Sequence, residues 1–293
     1  MEKLKGAILS DRGVIRVGGA EAERFLHGLV TADVAGMANG EARFAALLTP
    51  QGKILFDFLI RRAGDGNFLI DGRSEALGEL IKRLMFYRLR AKVEIEDESE
   101  ARAVLALWGA EGGGERGKDF FADPRHEALG LRAIVATGEA ERRLLKAGAE
   151  AVPLADYHAH RIGLGIPEGG LDFILGETFP HEADMDRLGG VSFTKGCFIG
   201  QEVVSRMEHR GTARSRIVPV AIDGEPEPGA ELRAGGKPAG RLGSVAGGRG
   251  LALMRLDRVE AAQSAGEAIM AGKAVVTVLA PIWERAAAAD KPS

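Results

Sequence analysis

The chain has 293 residues, 45% hydrophobic and 28% charged, with a formal net charge of -3 and a single cysteine. That composition belongs to a folded globular chain, and the charge gives no whole-molecule reason to bind nucleic acid. One cysteine excludes an internal disulfide and leaves the chain unable to hold a conventional four-thiolate iron–sulfur cluster by itself.

Two or three compact lobes are expected at this length. No apolar run approaches membrane-spanning length, and the opening MEKLKGAILSDRG lacks the apolar core of a signal peptide. With the sole cysteine, these features lead to the expectation of a cytoplasmic protein with no membrane and no nucleic-acid partner.

In chain order, residues 14–17 read as a short strand, and residues 21–30 carry Phe25, Leu26 and Leu29 at helical spacing. Residues 44–48 and 54–60 flank Pro50-Gln51-Gly52 and read as a hairpin. A strand is expected at 67–70. Ser74 can then cap a helix whose Leu77, Leu80, Ile81, Leu84 and Arg88 recur at three- and four-residue steps. Residues 92–96 alternate charged and apolar, as a half-buried rim strand does. Strands near 103–107 and 131–135 and a helix near 139–147 follow, giving sheets covered by helices on one side. Beyond Arg216, short strand segments at 217–222, 240–245, 251–255 and 274–279 alternate with Gly- and Pro-rich turns, the pattern of a small antiparallel barrel. Trp108 suits a core, and Gly112-Gly113-Gly114 a loop. His158 and His160, two apart on a helix, suit surface or packing roles, and no metal is expected.

The segment KGCFIGQEVVSRMEHRGTARSR, residues 195–216, contains the cysteine. With a helix starting near Phe198, Val203, Val204 and Met207 share one arc, opposite Gln201, Glu202, Ser205, Arg206 and His209. Glu202 and Arg206 have the spacing of a helix ion pair. Cys197 falls at or just before the first turn, where the dipole and Lys195 favour a thiolate. The alternative reading makes Cys197 a small buried hydrophobe and the arginines a solvated linker.

Lys195-Gly196-Cys197-Phe198-Ile199-Gly200-Gln201-Glu202, with Arg206 and then Arg210-Gly211, resembles the signature of the YgfZ-type folate-binding proteins, which serve iron–sulfur protein maturation or repair and are related to the aminomethyltransferase (T-protein) of glycine cleavage. The stretches around Thr31-Ala32-Asp33-Val34, Thr49-Pro50-Gln51-Gly52-Lys53, Arg161-Ile162-Gly163 and Phe179-Pro180-His181-Glu182 extend the resemblance over nearly the whole chain. It implies an α+β fold with two interleaved folate-binding lobes across residues 1–213. A C-terminal antiparallel β-barrel at 214–285 completes a ring-like three-domain arrangement, and 286–293 form a flexible tail.

The resemblance also implies tetrahydrofolate or a derivative as ligand, iron–sulfur client or assembly proteins as partners, and Cys197 as the acting group. Lys195, Arg206, Gln201, Glu202 and Arg210 are the implied folate contacts, the first two meeting the glutamate-tail carboxylates. The transferases carry paired aspartates after the glycine turn, where this chain has Leu55-Phe56-Asp57, and a pterin-binding glutamate where it has Gly163. A one-carbon transferase or demethylase would therefore depend on Asp57 alone. A non-catalytic scaffold on the same fold is the third reading.

Overall fold

The structure is a computed structural model that describes residues 3–109, 117, 119–211 and 213–284. The chain divides into two units, Met1–Tyr157 with Asp186–Gln201, and His158–Met185 with Glu202–Ser293.

The first unit stacks helices and two sheets in four layers. One sheet has the order β3-β4-β5-β2-β6, from β2 (Arg12–Gly18), β3 (Ala42–Leu48), β4 (Ile54–Arg62), β5 (Phe68–Arg73) and β6 (Glu94–Asp97), with α1 (Ala22–Leu29) and α2 (Ser74–Arg88). Apolar side chains at helical spacing make α1 and α2 amphipathic. Leu26, Leu29, Leu77, Leu80 and Leu84 meet Ile15, Phe58, Ile60 and Ile70 of the sheet in one core. The other sheet has the order β10-β1-β7-β9-β8, from β1 (Leu4–Ile8), β7 (Arg102–Gly109), β8 (Phe120–Ala122), β9 (Leu131–Ala136) and β10 (Glu150–Ala151), with α3 (Ala140–Lys146) packed on its outer face through Leu144. Because β1 pairs with β7 while β2 joins the other sheet, the two lobes interleave in sequence as expected.

Between the sheets lie Val14, Leu69, Trp108, Ile134 and Tyr157, and beside them a buried ionic chain. Asp71 on β5 accepts from Arg12 Nε at 2.6 Å and from Arg132 Nη1 of β9 at 2.6 Å. Arg132 Nε donates to Asp123 at 2.8 Å, and Arg125 Nη2 donates to the same carboxylate at 2.7 Å. Both arginines also donate to the Tyr157 hydroxyl. Burial alone would favour a neutral Asp123, yet Arg125 and Arg132 hold its carboxyl well below the usual range.

The second unit contains a closed barrel in the order β11-β14-β13-β12-β15-β16, every pairing antiparallel. Its strands are β11 (Ser215–Asp223), β12 (Glu231–Ala234), β13 (Lys237–Ala246), β14 (Arg249–Arg255), β15 (Ile269–Ala271) and β16 (Ala274–Val278). The helix α6 (Leu256–Ala265) adds Val259 and Ala262 to the barrel core and ends at Gly266, whose φ of 67° suits a glycine C-cap.

Two expectations of local structure change. The N-cap of α2 is Arg73 and carries no side-chain cap bond, so Ser74 opens the helix without capping it. The helix after the cysteine, α5 (Gln201–Arg210), begins three residues later than Phe198, because residues 195–200 are held by contacts outside any helix. The expected loop at 112–114 and the tail at 286–293 lie outside the described residues.

Candidate functional site

The cysteine stretch is fastened to the first unit at both ends, and the fastening points are the segments that carry the sequence resemblance. The end of α1 leaves carbonyl oxygens without helical partners. Those of His27 and Val30, together with the carbonyl of Ala32 just beyond the helix, converge on Lys195 Nζ at 2.5, 2.7 and 2.8 Å. One ammonium proton serves each oxygen, and a cation at a helix C-terminus is favoured by the dipole. Burial lowers the Lys195 pKa to about 8, with Asp33 acting in the opposite direction, so the group stays charged at neutral pH.

Thr31 completes that anchor. Its hydroxyl donates to the Gly190 carbonyl at 2.6 Å and accepts the Ala46 N–H at 2.8 Å, while its carbonyl accepts from Ser192 N–H at 2.9 Å. At the other end, Gly200 has a φ of 80°, and a Cβ there would lie 2.6 Å from the Thr49 carbonyl oxygen and 2.9 Å from Gly52 Cα. Only glycine permits this approach to the β3–β4 turn.

Between the anchors, Phe198 is buried with Lys195 Nζ 5.3 Å from its ring centroid, and Ile199 packs on the α1/α2 core. Cys197 is exposed. A cysteine turned to solvent between the buried Lys195 and Phe198 sets aside the packing role, since free cysteines that only pack are buried.

The expected ligand residues divide. Lys195 is engaged by three backbone oxygens. On α5, Glu202 and Arg206 form the i,i+4 pair at 2.5 Å with both side chains exposed, Gln201 is half-buried, and Val204 is buried as its arc requires. The Arg210 side chain lies outside the described residues. Asp57 is half-buried on β4, opposite Ala46 of β3, on the sheet face away from Phe56 and Phe58. The described cations therefore fit a folate tail only in part. Arg206 is exposed beside Glu202, whereas the Lys195 ammonium is directed at three backbone oxygens.

In the second unit, Arg161 of helix α4 (Leu154–Leu164) is wholly buried. It donates to Asp172 at 2.6 Å, to the Ile166 carbonyl at 3.1 Å and to Ser244 Oγ of β13 at 2.9 Å. Asp172 also accepts the Ser244 N–H at 2.9 Å. The expected motif residue His181 is buried and meets Glu208 of α5 at 2.9 Å, and Arg216 binds Asp184 at 2.7 Å. The structural roles of Thr31, Asp71, Arg132 and Asp172 are not evident in the sequence. The one available signal was Arg161, a lone cation opening the apolar run Ile162-Gly163-Leu164.

Residues 9–113 match the GCVT N-terminal domain, and residues 214–286 match the CAF17 C-terminal beta-barrel domain. The chain is 34% identical to the human mitochondrial iron–sulfur cluster assembly factor IBA57 and 33% to that of Mus musculus, in each case over 86% of this chain and 78% of the relative. The chain belongs to the IBA57 family. The mitochondrial IBA57 homologue of Mycosarcoma maydis is 31% identical, over 87% of this chain and 74% of that protein. Aminomethyltransferase T of the glycine cleavage system from Bartonella henselae superposes with a TM-score of 0.73 at 19% identity, covering 94% of this chain and 85% of that one, so the fold is shared.

The expected α+β fold with a terminal barrel is thus the fold of the family. The expectation of a cytoplasmic protein is corrected, because the IBA57 relatives are named as mitochondrial proteins. It rested on the lack of a long apolar run and on the single cysteine, and neither distinguishes one reducing compartment from another.

Proposed function

We propose that this IBA57-family protein acts in iron–sulfur protein maturation, binding tetrahydrofolate and presenting Cys197 to a client or assembly protein. The observation that carries the reading is the loop at 195–200, fastened at Lys195 and at Gly200 with an exposed thiol between them. A single thiolate cannot retain a cluster, but it can supply one ligand to a cluster whose other ligands remain with the client. The cluster is then cargo. Lys195 serves by positioning the loop, and Arg206 is the described motif cation facing solvent for a glutamate-tail carboxylate.

The test has two arms. In a strain lacking the protein and defective in an iron–sulfur enzyme, the wild-type chain restores activity and Cys197→Ser does not. Full restoration by Cys197→Ala removes the thiol from the mechanism. Calorimetric titration with 5-formyl-tetrahydrofolate gives saturable heat, weakened in Arg206→Ala. No heat with the wild-type chain leaves a scaffold without folate.

A further inference from the structure

Helix α2 carries both buried and exposed apolar residues. Leu77, Leu80 and Leu84 face the core, while Met85 and Phe86 in the last turn and Leu89 at the C-cap are 41%, 69% and 85% exposed. Phe86 stands edge-on against Tyr87, with ring centroids 5.4 Å apart. Leu89 has φ 47° and ψ -108°, a backbone that side chains larger than glycine rarely adopt. A leucine that is both strained and hydrated points to function at that place.

Basic side chains cluster along this stretch of the chain. Between Glu79 and Glu94 the chain has no carboxylate and five cations, Lys82, Arg83, Arg88, Arg90 and Lys92. Lys82 pairs with Glu79, but Arg88, Arg90 and Lys92 form no ion pair among the described residues. The carboxylate of Glu21 comes near only by accepting the Lys92 backbone N–H.

We propose that this end of α2 is a docking surface for an anionic phospholipid membrane. Three convex side chains expose roughly 300 to 400 Å², well short of the about 800 Å² per partner of a stable protein interface. A bilayer needs no matching concavity. Apolar tips flanked by cations are what an interfacial segment presents to acidic headgroups. Among the described residues no helix is long and apolar enough to cross a membrane, so the contact is peripheral. The proposal departs from the expectation of no membrane partner.

Sedimentation of the full chain with vesicles tests it. The protein partitions onto vesicles of mixed phosphatidylglycerol and phosphatidylcholine, not onto phosphatidylcholine alone, and added salt weakens the partition. Arg90→Glu with Lys92→Glu lowers it tenfold or more, since each cation near such a surface is worth about fivefold. Leu89→Gly relieves the positive-φ strain, raising the melting temperature while weakening vesicle binding. Phe86→Trp gives blue-shifted emission on the anionic vesicles only. Three results overturn the proposal: no partition, partition by the Arg90→Glu/Lys92→Glu and Leu89→Gly variants equal to that of the wild type, or a wild-type dimer that Leu89→Gly dissolves, which makes a second copy the occupant.

Discussion

Replacing Lys195 by methionine keeps an apolar stem and removes every donor, which isolates what the ammonium does. Three carbonyl oxygens, of His27, Val30 and Ala32, lose their partner together. A buried acceptor left without a donor costs about 1–3 kcal/mol, and the lost cation at the α1 C-terminus adds about 0.3–1 kcal/mol. Water entering the vacated space recovers part of this. A net loss of roughly 3–5 kcal/mol is therefore expected, a large share of the about 5–15 kcal/mol that holds a typical domain. The control is Arg206→Ala, which breaks an exposed pair and should cost less than about 1 kcal/mol. Denaturant titration of both variants gives the energies, and the rate at which an aromatic disulfide reagent modifies Cys197 reports on the loop. That rate should change in Lys195→Met and not in Arg206→Ala. If Lys195→Met unfolds at the wild-type midpoint with unaltered thiol reactivity but loses folate binding, the lysine is a ligand group and the fastening argument is wrong.

Gly200→Ala forces a Cβ to within 2.6 Å of the Thr49 carbonyl, so thermal unfolding should show a loss of roughly 1–3 kcal/mol together with changed thiol reactivity. The Asp123 carboxylate has a lowered pKa when folded, so its contribution is complete above its ordinary value of 3.8 and is lost as the pH falls below that value. Wild-type stability measured against pH should drop in that acid range, whereas Asp123→Asn should be weaker by about 3–5 kcal/mol at neutral pH and show a shallower acid limb. Gly243→Ala places a Cβ 2.7 Å from Asp172 Cα, and calorimetric unfolding should record a loss of roughly 2 kcal/mol or more.

Periodicity exposed the elements that repeat it. The core arcs of α1 and α2, the β3–β4 hairpin and four barrel strands were all legible, because burial on one face imposes spacing on the residues. Strands β12 and β15, with four and three residues, are too short to show a period. Strand β1 hides behind Gly6, which is needed because a Cβ there would meet Leu107 and Leu144 at 2.9 Å. The cysteine motif located the candidate site, but not the duty of its lysine. A cation beside a thiol reads as chemistry until the carbonyls of a helix end 160-odd positions earlier are seen around it, a separation that local pattern cannot bridge. The same holds for Arg132 with Asp71 and for Arg161 with Ser244, buried cations that each reach one partner far away in the chain.

Strand β13 shifts register against β14 between Leu242 and Val245, and Asp172 occupies that irregularity by accepting the Ser244 amide. The last seventy-odd residues, though recognisable as a module by sequence, borrow a carboxylate from far upstream to complete their own hydrogen bonding. Excised alone, they would leave the Ser244 amide without that acceptor and open the gap beside Gly243. The piece that evolution copies and the piece that can stand by itself are thus different lengths of chain, and expression of the shorter one should yield a loosened cylinder.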